Sequence, residues 1–224
     1  MKQVSSIALL LFLPLIALAQ PDPAKPDGEN LMVPESWKVR LDRPNPELVV
    51  GADQDSVDIF FVNMTPGWHI TTGPAAIFYH PDLVASGGYT LESTIHLFDP
   101  GERREAYGVF LGGQKLEDDE IKYDYFLLRN SGEFLIKRRT GSETSIIQDW
   151  TASQSINVFG PETEGSVKNH LRIDALEDMV AFSINGIEVA SFSRDQMMID
   201  GTVGLRINHA LNVHISDLMV TPHQ

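Results

Sequence analysis

Short apolar runs recur along the chain from residue 37 onward, and each run ends at Gly, Pro, Asn or Asp. In the segment 89–98, Leu91, Ser93, Ile95 and Leu97 lie two residues apart and therefore share one face of a strand. Such strands between turn-forming residues are typical of a β-sandwich or barrel. The pattern predicts strands over residues 57–63, 89–98, 107–111, 123–129, 134–138, 145–150, 171–175, 180–184, 187–189, 203–207 and 211–215.

Two turn sequences join neighbouring predicted strands into hairpins. Asn185-Gly186 gives the stronger signal, because both central positions of a type I′ turn need a positive φ. The other turn is 130–132, and residues 194–199 are the only candidate turn of helix. About ten to thirteen strands exceed an immunoglobulin sandwich. We therefore expect an all-β fold, a sandwich of two large curved antiparallel sheets packed face to face.

The first nineteen residues have the pattern of a secretory signal peptide. Lys2 precedes an apolar run over 7–18, and Ala17-Leu18-Ala19 fits the small-x-small cleavage pattern. A membrane anchor is the alternative, but the run is shorter than the ~20 apolar residues that span a bilayer. The sequence predicts a signal peptide at 1–19, a flexible lead-in at 20–36 and one domain at 37–224. The mature protein would be secreted or periplasmic, without membrane insertion after cleavage.

Composition excludes several classes of site and partner. The 224 residues contain no cysteine, so disulfides, thiolate metal sites and a cysteine nucleophile are ruled out. The formal net charge of −14 repels phosphate backbones, so nucleic acid is not an expected partner. Hydrophobic residues make up 42%, enough for a core without covalent crosslinks. The oligomeric state is left open.

Four segments carry a resemblance to a known superfamily. They are 107–114 (YGVFLGGQ), 125–137 (YFLLRNSGEFLIK), 169–190 (NHLRIDALEDMVAFSINGIEVA) and 201–220 (GTVGLRINHALNVHISDLMV). This pattern of strands and turns resembles the concanavalin A-like lectin/glucanase superfamily over about 89–222. The nearest branch is the laminin-G-like one that includes the 3-keto-disaccharide hydrolase domains of secreted bacterial proteins.

The resemblance implies a concanavalin A-like jelly roll in which sugars lie across the concave sheet. The groove would then be lined by outward-facing residues of the strands near Tyr107, Tyr125 and Leu205. A position after the penultimate strand, often His in the hydrolase branch, corresponds to His209.

The residues themselves do not identify a catalytic apparatus. Glycoside hydrolysis normally needs two carboxylates across the scissile bond, and laminarinase-type members of the superfamily place them on one strand as Glu-x-Asp-x-Glu. The chain has no such string, because its acids fall in turns such as 117–120, 162–164 and 177–178. The Arg-rich and Gln-x-His strings of alginate-lyase-like members are also missing. The catalytic residues, and whether there are any, are left open.

Ligand-binding candidates come from aromatic, polar and histidine positions. The strand over 123–129 places Tyr123, Tyr125 and Arg129 on one face, which suits a wet groove, whereas its other face resembles core. His69 and His80 bracket a segment rich in Gly, Pro and Thr that could close over a ligand as a rim loop, or they are two unrelated surface histidines. Trp150 either stacks on a ligand or caps the core. The full candidate set is His69, Tyr79, His80, Tyr107, Gln114, Tyr123, Tyr125, Arg129 and His209.

Asp217 is the one candidate metal ligand. It lies in the closing strand, where many jelly rolls hold a structural Ca²⁺ with an Asp and backbone carbonyls. An ordinary edge-strand Asp is the alternative, and no other cofactor is expected.

Two functions remain for this sequence. The first is a secreted carbohydrate-recognition or adhesion module that binds a carbohydrate or polysaccharide on its concave face. The alternative is a sugar-active hydrolase or lyase of the keto-disaccharide hydrolase type, with a role for His209. A purely structural domain stays open if the fold has no cleft.

Overall fold

The computed structural model describes residues 22–26 and 31–223, so the predicted signal peptide at 1–19 lies outside the described residues, as does part of the predicted lead-in. Within the described part, sixteen strands and one 3-10 turn (Arg194–Gln196) form the fold. The strands are β1 (Lys38–Leu41), β2 (Val50–Gly51), β3 (Ile59–Asn63), β4 (Trp68–Thr72), β5 (Ala76–Tyr79), β6 (Val84–Ala85), β7 (Tyr89–Phe98), β8 (Ala106–Gln114), β9 (Lys122–Arg129), β10 (Glu133–Thr140), β11 (Glu143–Ala152), β12 (Ser166–Ala175), β13 (Met179–Ile184), β14 (Ile187–Ser193), β15 (Gly201–Ile207) and β16 (Asn212–Pro222).

The strands form two sheets of eight. The front sheet has the order β1-β5-β15-β8-β9-β10-β11, with β6 paired to β15 as well. The back sheet has the order β14-β13-β12-β7-β16-β4-β3-β2. Pairing is antiparallel throughout the described ladders except between β2 and β3, which run parallel. The predicted sandwich of two antiparallel-rich sheets is confirmed.

The core lies between the two sheets and follows the alternation read from the sequence. Leu91, Ser93, Ile95 and Leu97 of β7 are all buried, with exposures of 1% or less. Phe126 of β9 packs in the same cluster, because every second residue of a strand points to one face. Burial of this continuous apolar layer is the main favourable term for folding.

A second apolar cluster covers the outer face of the front sheet, the face turned away from the core. Its side chains alternate with the core side chains on β5, β8, β9 and β10. Leu116 and Ile121, from the connection between β8 and β9, belong to the same cluster, so this connection folds over the sheet. The cluster consists of Ile77, Tyr79, Ala106, Phe110, Leu116, Ile121, Tyr123, Tyr125, Leu127 and Leu135, with Trp150 packed against it.

Both predicted hairpin turns are present. Asn185 and Gly186 have φ values of 51° and 82°, as a type I′ turn requires, and Gly132 has a φ of 77°. The 3-10 turn lies inside the predicted helical stretch 194–199. Among the described residues no helix is long or apolar enough to cross a bilayer.

One predicted loop is wrong. The segment between His69 and His80 does not form a rim loop, because β4 and β5 take up most of it. Only the short connection from Gly73 to Ala75 is left, and it carries the chain from the back sheet to the front sheet. β5 is an apolar and fully buried strand, and β4 is mostly buried although it contains His69, Thr71 and Thr72. Strand pairing and burial outweighed the loop-forming tendency of the Thr, Gly and Pro residues.

Candidate functional site

The outer face of the front sheet combines aromatic rings with guanidinium groups. Tyr123 and Tyr125 of β9 both point to this face, as the alternation predicts, but they are only 1% and 7% exposed. The guanidinium of Arg206, on β15, lies 5.8 Å from the centroid of the Tyr125 ring. The predicted groove at these tyrosines is therefore not open, because side chains of the same chain cover the rings.

Asp42 is held over this face by two arginines from different strands. Both terminal nitrogens of Arg206 donate to the two carboxylate oxygens of Asp42, each at 2.5 Å. Arg139 of β10 donates from Nη1 to Asp42 Oδ1 at 2.5 Å and from Nη2 to the Asp42 backbone carbonyl at 2.9 Å. The loop after β1 is thereby tied to the middle of the front sheet. We call Asp42, Arg139, Arg206 and the cavities around them the Asp42 site.

Charges in the Asp42 site stabilise one another. Burial alone would raise the pKa of Asp42, but hydrogen bonds and positive charge from Arg206 and Arg139 hold it below its ordinary value. Burial raises the pKa of Tyr125 to about 12, so its hydroxyl stays neutral. Side-chain exposure differs across the cluster, at 36% for Asp42 but 9% for Arg206 and 11% for Arg139. Solvent and ligands therefore reach the carboxylate more easily than the arginines beneath it.

Three cavities surround the loop that carries Asp42. The first, of about 360 Å³, includes Arg40, Pro44 and Glu117 in its lining. The second, of about 550 Å³, is lined by Leu41, Asp42, Arg43, Asn45, Pro74, Ala75 and His209. The third, of about 430 Å³, is lined by Arg40, Asp42, Arg43, Pro44, Asp119, Ile121, Arg139, Gly141 and Ser142. Asp42 and Arg43 line both larger cavities, so a ligand in either one would lie beside them.

His209 is the predicted residue that reaches the Asp42 site. It is exposed, it lines the second cavity, and its Nδ1 lies 3.7 Å from Glu105 Oε2. His80 lies outside this site. Its ring packs edge-on against Trp37, and its Nδ1 accepts a hydrogen bond from the Asp82 backbone amide at 3.2 Å.

Arg129 and Trp150 form a separate contact on the same side of the front sheet. The guanidinium of Arg129 lies 4.0 Å from the centroid of the Trp150 ring. The same guanidinium donates to Glu133 Oε2 from Nε at 2.9 Å and from Nη2 at 2.6 Å. Trp150 is half-buried against the second cluster, so its ring already contacts both Arg129 and residues of that cluster.

Tyr107, a predicted ligand-binding residue, is instead buried in the core between the sheets, with an exposure of 1%. Leu205, which marked another strand of the predicted groove, is buried in the same core at 0%. The Tyr107 hydroxyl accepts a hydrogen bond at 3.0 Å from Nδ2 of Asn169, on β12 of the back sheet. The strands are as predicted, but the outward-facing positions are their neighbours Gly108 and Arg206. A one-residue offset in facing reverses every side chain of a strand.

His69 lies on β4 of the back sheet, whereas the Asp42 site lies on the front sheet. Its side chain is fully buried, with ring centroids 5.9 Å from Phe60 and 5.5 Å from Phe98. Its two ring nitrogens have no hydrogen-bond partner among the described residues, although the Asn212 amide is close enough to affect the imidazole. Burial lowers the pKa of His69 to about 4.

Tyr79 and Gln114 have local structural contacts. Tyr79 is 3% exposed in the second cluster, and burial raises its pKa to about 12. Gln114 is exposed at the end of β8, and its side-chain amide donates to the backbone carbonyl of Asp200 at 3.4 Å. Neither residue lines the three cavities.

The side chain of Asp217 accepts a hydrogen bond from the backbone of the back sheet. Its Oδ1 accepts a hydrogen bond from the Thr94 amide at 2.9 Å, at a bulge in the pairing of β16 with β7. In residues 22–26 and 31–223 no group of three or more metal-ligating side chains is arranged around a common point. The predicted structural Ca²⁺ stays an untested prediction.

Sequence reasoning missed the main members of the site, which are Asp42, Arg139 and Arg206. Arg206 carried a signal, because alternation from Leu205 places it on the opposite face from a core residue. Asp42 and Arg43 follow a strand that the sequence pattern did not predict. Asp42 and Arg139 are 97 residues apart in sequence, and the order of strands in the front sheet brings them together.

Comparison with known proteins identifies the architecture. No protein-family model matches the chain, and no curated relative matches it significantly. Among solved structures, a carbohydrate-binding module from Bacillus subtilis (CBM66) matches with a TM-score of 0.58 at 14% identity, over 84% of this chain and 96% of that one. A protein of unknown function with a galectin-like fold, also from Bacillus subtilis, matches with a TM-score of 0.53 at 12% identity, over 83% and 89% of the two chains.

A glycoside hydrolase shares the same architecture. The Bacteroides ovatus mixed-linkage glucan enzyme GH16, solved with the product G4G4G3G, matches with a TM-score of 0.54 at 11% identity, over 87% of this chain and 98% of that one. At such identities the likeness concerns the fold and not the activity. The protein has a concanavalin A-like jelly-roll fold.

Proposed function

We propose that this protein is a secreted carbohydrate-binding β-sandwich that holds a glycan at the Asp42 site. The observation that carries the proposal is the joint engagement of Asp42 by Arg206 and Arg139 between two cavities of about 550 and 430 Å³. The carbohydrate-binding module and the glucan hydrolase that share the fold support the same class of ligand.

Rigid polar groups at the site suit the hydroxyls of a sugar. A carboxylate accepts hydrogen bonds and guanidinium groups donate them, so neighbouring hydroxyls of one ring can be bound in both roles. Asp42 keeps a 36% exposed side chain while both of its arginines are held in place, so its orientation is set before a ligand arrives. Side chains fixed in advance lose little conformational entropy on binding.

The exposed lining residues would complete the contact. Arg43, Asn45 and His209 border the second cavity and point into solvent-accessible space. Pro74 and Ala75 line the same cavity and add apolar surface, against which the less polar edge of a sugar ring can pack. Pockets that combine apolar walls with a few polar groups are typical small-ligand sites.

A direct test uses the chain from residue 20 to 224 on a glycan array and in affinity gels with polysaccharides. A ligand found there is titrated into ¹⁵N-labelled protein while amide shifts are followed. We expect the largest shifts at Asp42, Arg43 and His209, and at least about tenfold weaker binding by Asp42→Asn. Lys168→Gln, an exposed change on the back sheet, serves as the control.

Two results would contradict the proposal. One is the absence of any glycan ligand for protein that is folded by near-ultraviolet circular dichroism. The other is a ligand whose shifts map to the back sheet and whose affinity is unchanged by both Asp42→Asn and His209→Ala. The second variant is included because His209 is exposed and its replacement should leave the fold intact.

A sugar-active hydrolase is the second candidate, and one contact favours it. His209 Nδ1 lies 3.7 Å from Glu105, and His209 shares the second cavity with Asp42. A histidine oriented by a carboxylate can transfer a proton to or from a bound sugar. Turnover of 3-keto-glycosides that disappears in His209→Ala would establish this activity, and turnover that persists would remove His209 from it.

A further inference from the structure

Arg40 is a positively charged side chain in the lining of the Asp42 site, and among the described residues it forms no ion pair and no side-chain hydrogen bond. It lies on β1 and lines both the first and the third cavity. Its Nε is buried and has no hydrogen-bond partner in the described part of the chain. An unpaired buried donor destabilises a protein, and charged groups more so than neutral ones. A ligand acceptor in one of these cavities would give the Arg40 guanidinium a partner.

Arg43 adds a second guanidinium to the same cavity. It is exposed, and within residues 22–26 and 31–223 its side chain forms neither an ion pair nor a hydrogen bond. The nearby Arg139 donates to Asp42, and Asp42 is already shared with Arg206. One carboxylate therefore serves two of the four guanidiniums in this region.

The lining of the third cavity carries an excess of positive charge. Three guanidiniums (Arg40, Arg43 and Arg139) border it together with two carboxylates (Asp42 and Asp119). Glu117 is paired with Lys38 at 3.8 Å in an exposed contact. This local excess of positive charge contrasts with the formal net charge of −14 for the whole chain. An anion is repelled by the molecule as a whole but attracted here.

The site also shows how it would hold an acid. Arg206 donates two parallel hydrogen bonds to the Asp42 carboxylate, which is the bidentate geometry that guanidinium groups form with carboxylates. Arg40 and Arg43 carry the same group, and in the part of the chain that the structure describes neither is paired with a carboxylate. The Ser142 hydroxyl on the rim of the third cavity is a further donor.

We propose that the glycan bound at the Asp42 site is acidic and that Arg40 and Arg43 bind its carboxylate or sulfate group in the third cavity. This inference rests on the proposed carbohydrate-binding function and names its ligand class. The sugar hydroxyls would contact Asp42, and the acidic substituent would lie on the Arg40 side of the loop.

The experiment compares sugars that differ only in charge. An oligogalacturonate of four residues and its carboxyl-reduced derivative are titrated calorimetrically into the chain 20–224, and a heparin-derived tetrasaccharide with its desulfated derivative gives the sulfate arm. The variants are Arg40→Gln and Arg43→Gln, with Lys168→Gln as a control of equal charge change on the other sheet.

We expect one acidic probe to bind at least about tenfold more tightly than its neutral derivative, and this ratio to shrink about tenfold in Arg40→Gln or Arg43→Gln. Lys168→Gln should leave the ratio unchanged. Tighter binding of the oligogalacturonate identifies a ligand that contains uronate. Tighter binding of the heparin-derived tetrasaccharide identifies a sulfated ligand. Arg43→Gln changes an exposed side chain and keeps the test valid if Arg40→Gln unfolds the domain.

Failure of this inference differs from failure of the proposed function. Neutral and acidic probes could bind with equal affinity, and neither arginine variant could change it. That result would overturn the inference that the glycan is acidic and would leave carbohydrate binding in place. An acidic preference that Lys168→Gln weakens as much as Arg43→Gln would show attraction without a site, which also overturns it. Folded protein that binds no saccharide of the array or of either arm would overturn both proposals.

Discussion

The carboxylate of Asp42 and the guanidinium of Arg206 form a two-hydrogen-bond pair, at 2.5 Å for each bond, across 164 residues of sequence. Arg206 is 9% exposed at its side chain, so the pair compensates a positive charge that the fold has taken out of water. A buried charge without its partner is strongly destabilising. The pair thus anchors the loop after β1 and at the same time shapes the candidate ligand site.

Replacing Asp42 by Asn should lower the free energy of unfolding by about 2–3 kcal/mol, because Arg206 loses its counter-ion. Urea denaturation followed by fluorescence measures the change. Glu117→Gln is the matched control, since it breaks an exposed ion pair with Lys38 and should change stability by no more than about 0.5 kcal/mol. Equal effects of the two substitutions would contradict the anchoring role of Asp42.

Removing the Tyr107 hydroxyl should destabilise the sandwich without weakening ligand binding. Tyr107→Phe leaves one hydrogen of Asn169 Nδ2 unpaired in the core, which costs about 1–2 kcal/mol. Tyr125→Phe is the control, because the Tyr125 hydroxyl has no hydrogen-bond partner among the described residues and its loss should cost less than about 0.5 kcal/mol. Thermal unfolding and glycan titration of both variants check the prediction. Reduced glycan affinity in Tyr107→Phe at unchanged stability would argue against its place in the core.

Acid should destabilise the fold through His69. The folded protein keeps this imidazole neutral with a pKa of about 4, whereas the unfolded chain binds a proton near 6.5. Its stabilising contribution is therefore complete above pH 6.5 and is lost as the pH falls toward 4, by about 3 kcal/mol in total. His96 and His214, two further histidines on the outer face of the back sheet, have lowered pKa values caused first by burial and would add to the trend.

The measurement is urea denaturation at pH steps from 7 to 4.5. His69→Leu should show a flatter dependence of stability on pH than the wild type, because leucine fits between Phe60 and Phe98 without a titrating group. Lys168 and Asp217 also act on His96, so their charges are present in both proteins and cancel in the comparison. Parallel pH profiles of the two proteins would show that another group is responsible.

Two substitutions of Asn185 should separate the effect of backbone strain on stability from the effect of the side-chain hydrogen bonds. Asn185 has a φ of 51°, its Nδ2 donates to the Ser155 carbonyl at 2.7 Å, and its Oδ1 accepts from the His170 amide at 2.8 Å. Asn185→Gly keeps the backbone conformation and loses the hydrogen bonds, whereas Asn185→Ala loses both. Alanine should therefore be about 1 kcal/mol less stable than glycine at this position, as measured by thermal unfolding. Equal stability of the glycine and alanine variants would show that the positive φ at this position costs alanine nothing.

The strands of the central and C-terminal parts could be predicted because local physics determines them. The segment 89–98 alternates apolar and polar residues, and it forms β7 with the same bounds. Asn185-Gly186 forms the predicted turn, because few other dipeptides take two positive φ angles at low cost. The strands β1, β2, β4, β5 and β6 were not predicted, since they have five residues or fewer and pack through partners distant in sequence.

The candidate site was predicted only in part. The shared face of Tyr123, Tyr125 and Arg129 is confirmed, but the two tyrosine rings are buried under the chain's own side chains. His209 lines the second cavity, while its role in binding or catalysis stays a prediction. The signal peptide and the secreted location also remain predictions, since residues 1–19 lie outside the described part.

The amino-acid sequence by itself determined an all-β chain with its major strands, its hairpin turns and the alternation of faces along each strand, because these depend on neighbours within a few residues. The tertiary structure alone decided that Asp42, Arg139 and Arg206 meet, and that Tyr107 points into the core. Those outcomes follow from the order of strands in the sheets and from which face is buried. Both are set by contacts between segments about a hundred residues apart, which no local pattern encodes.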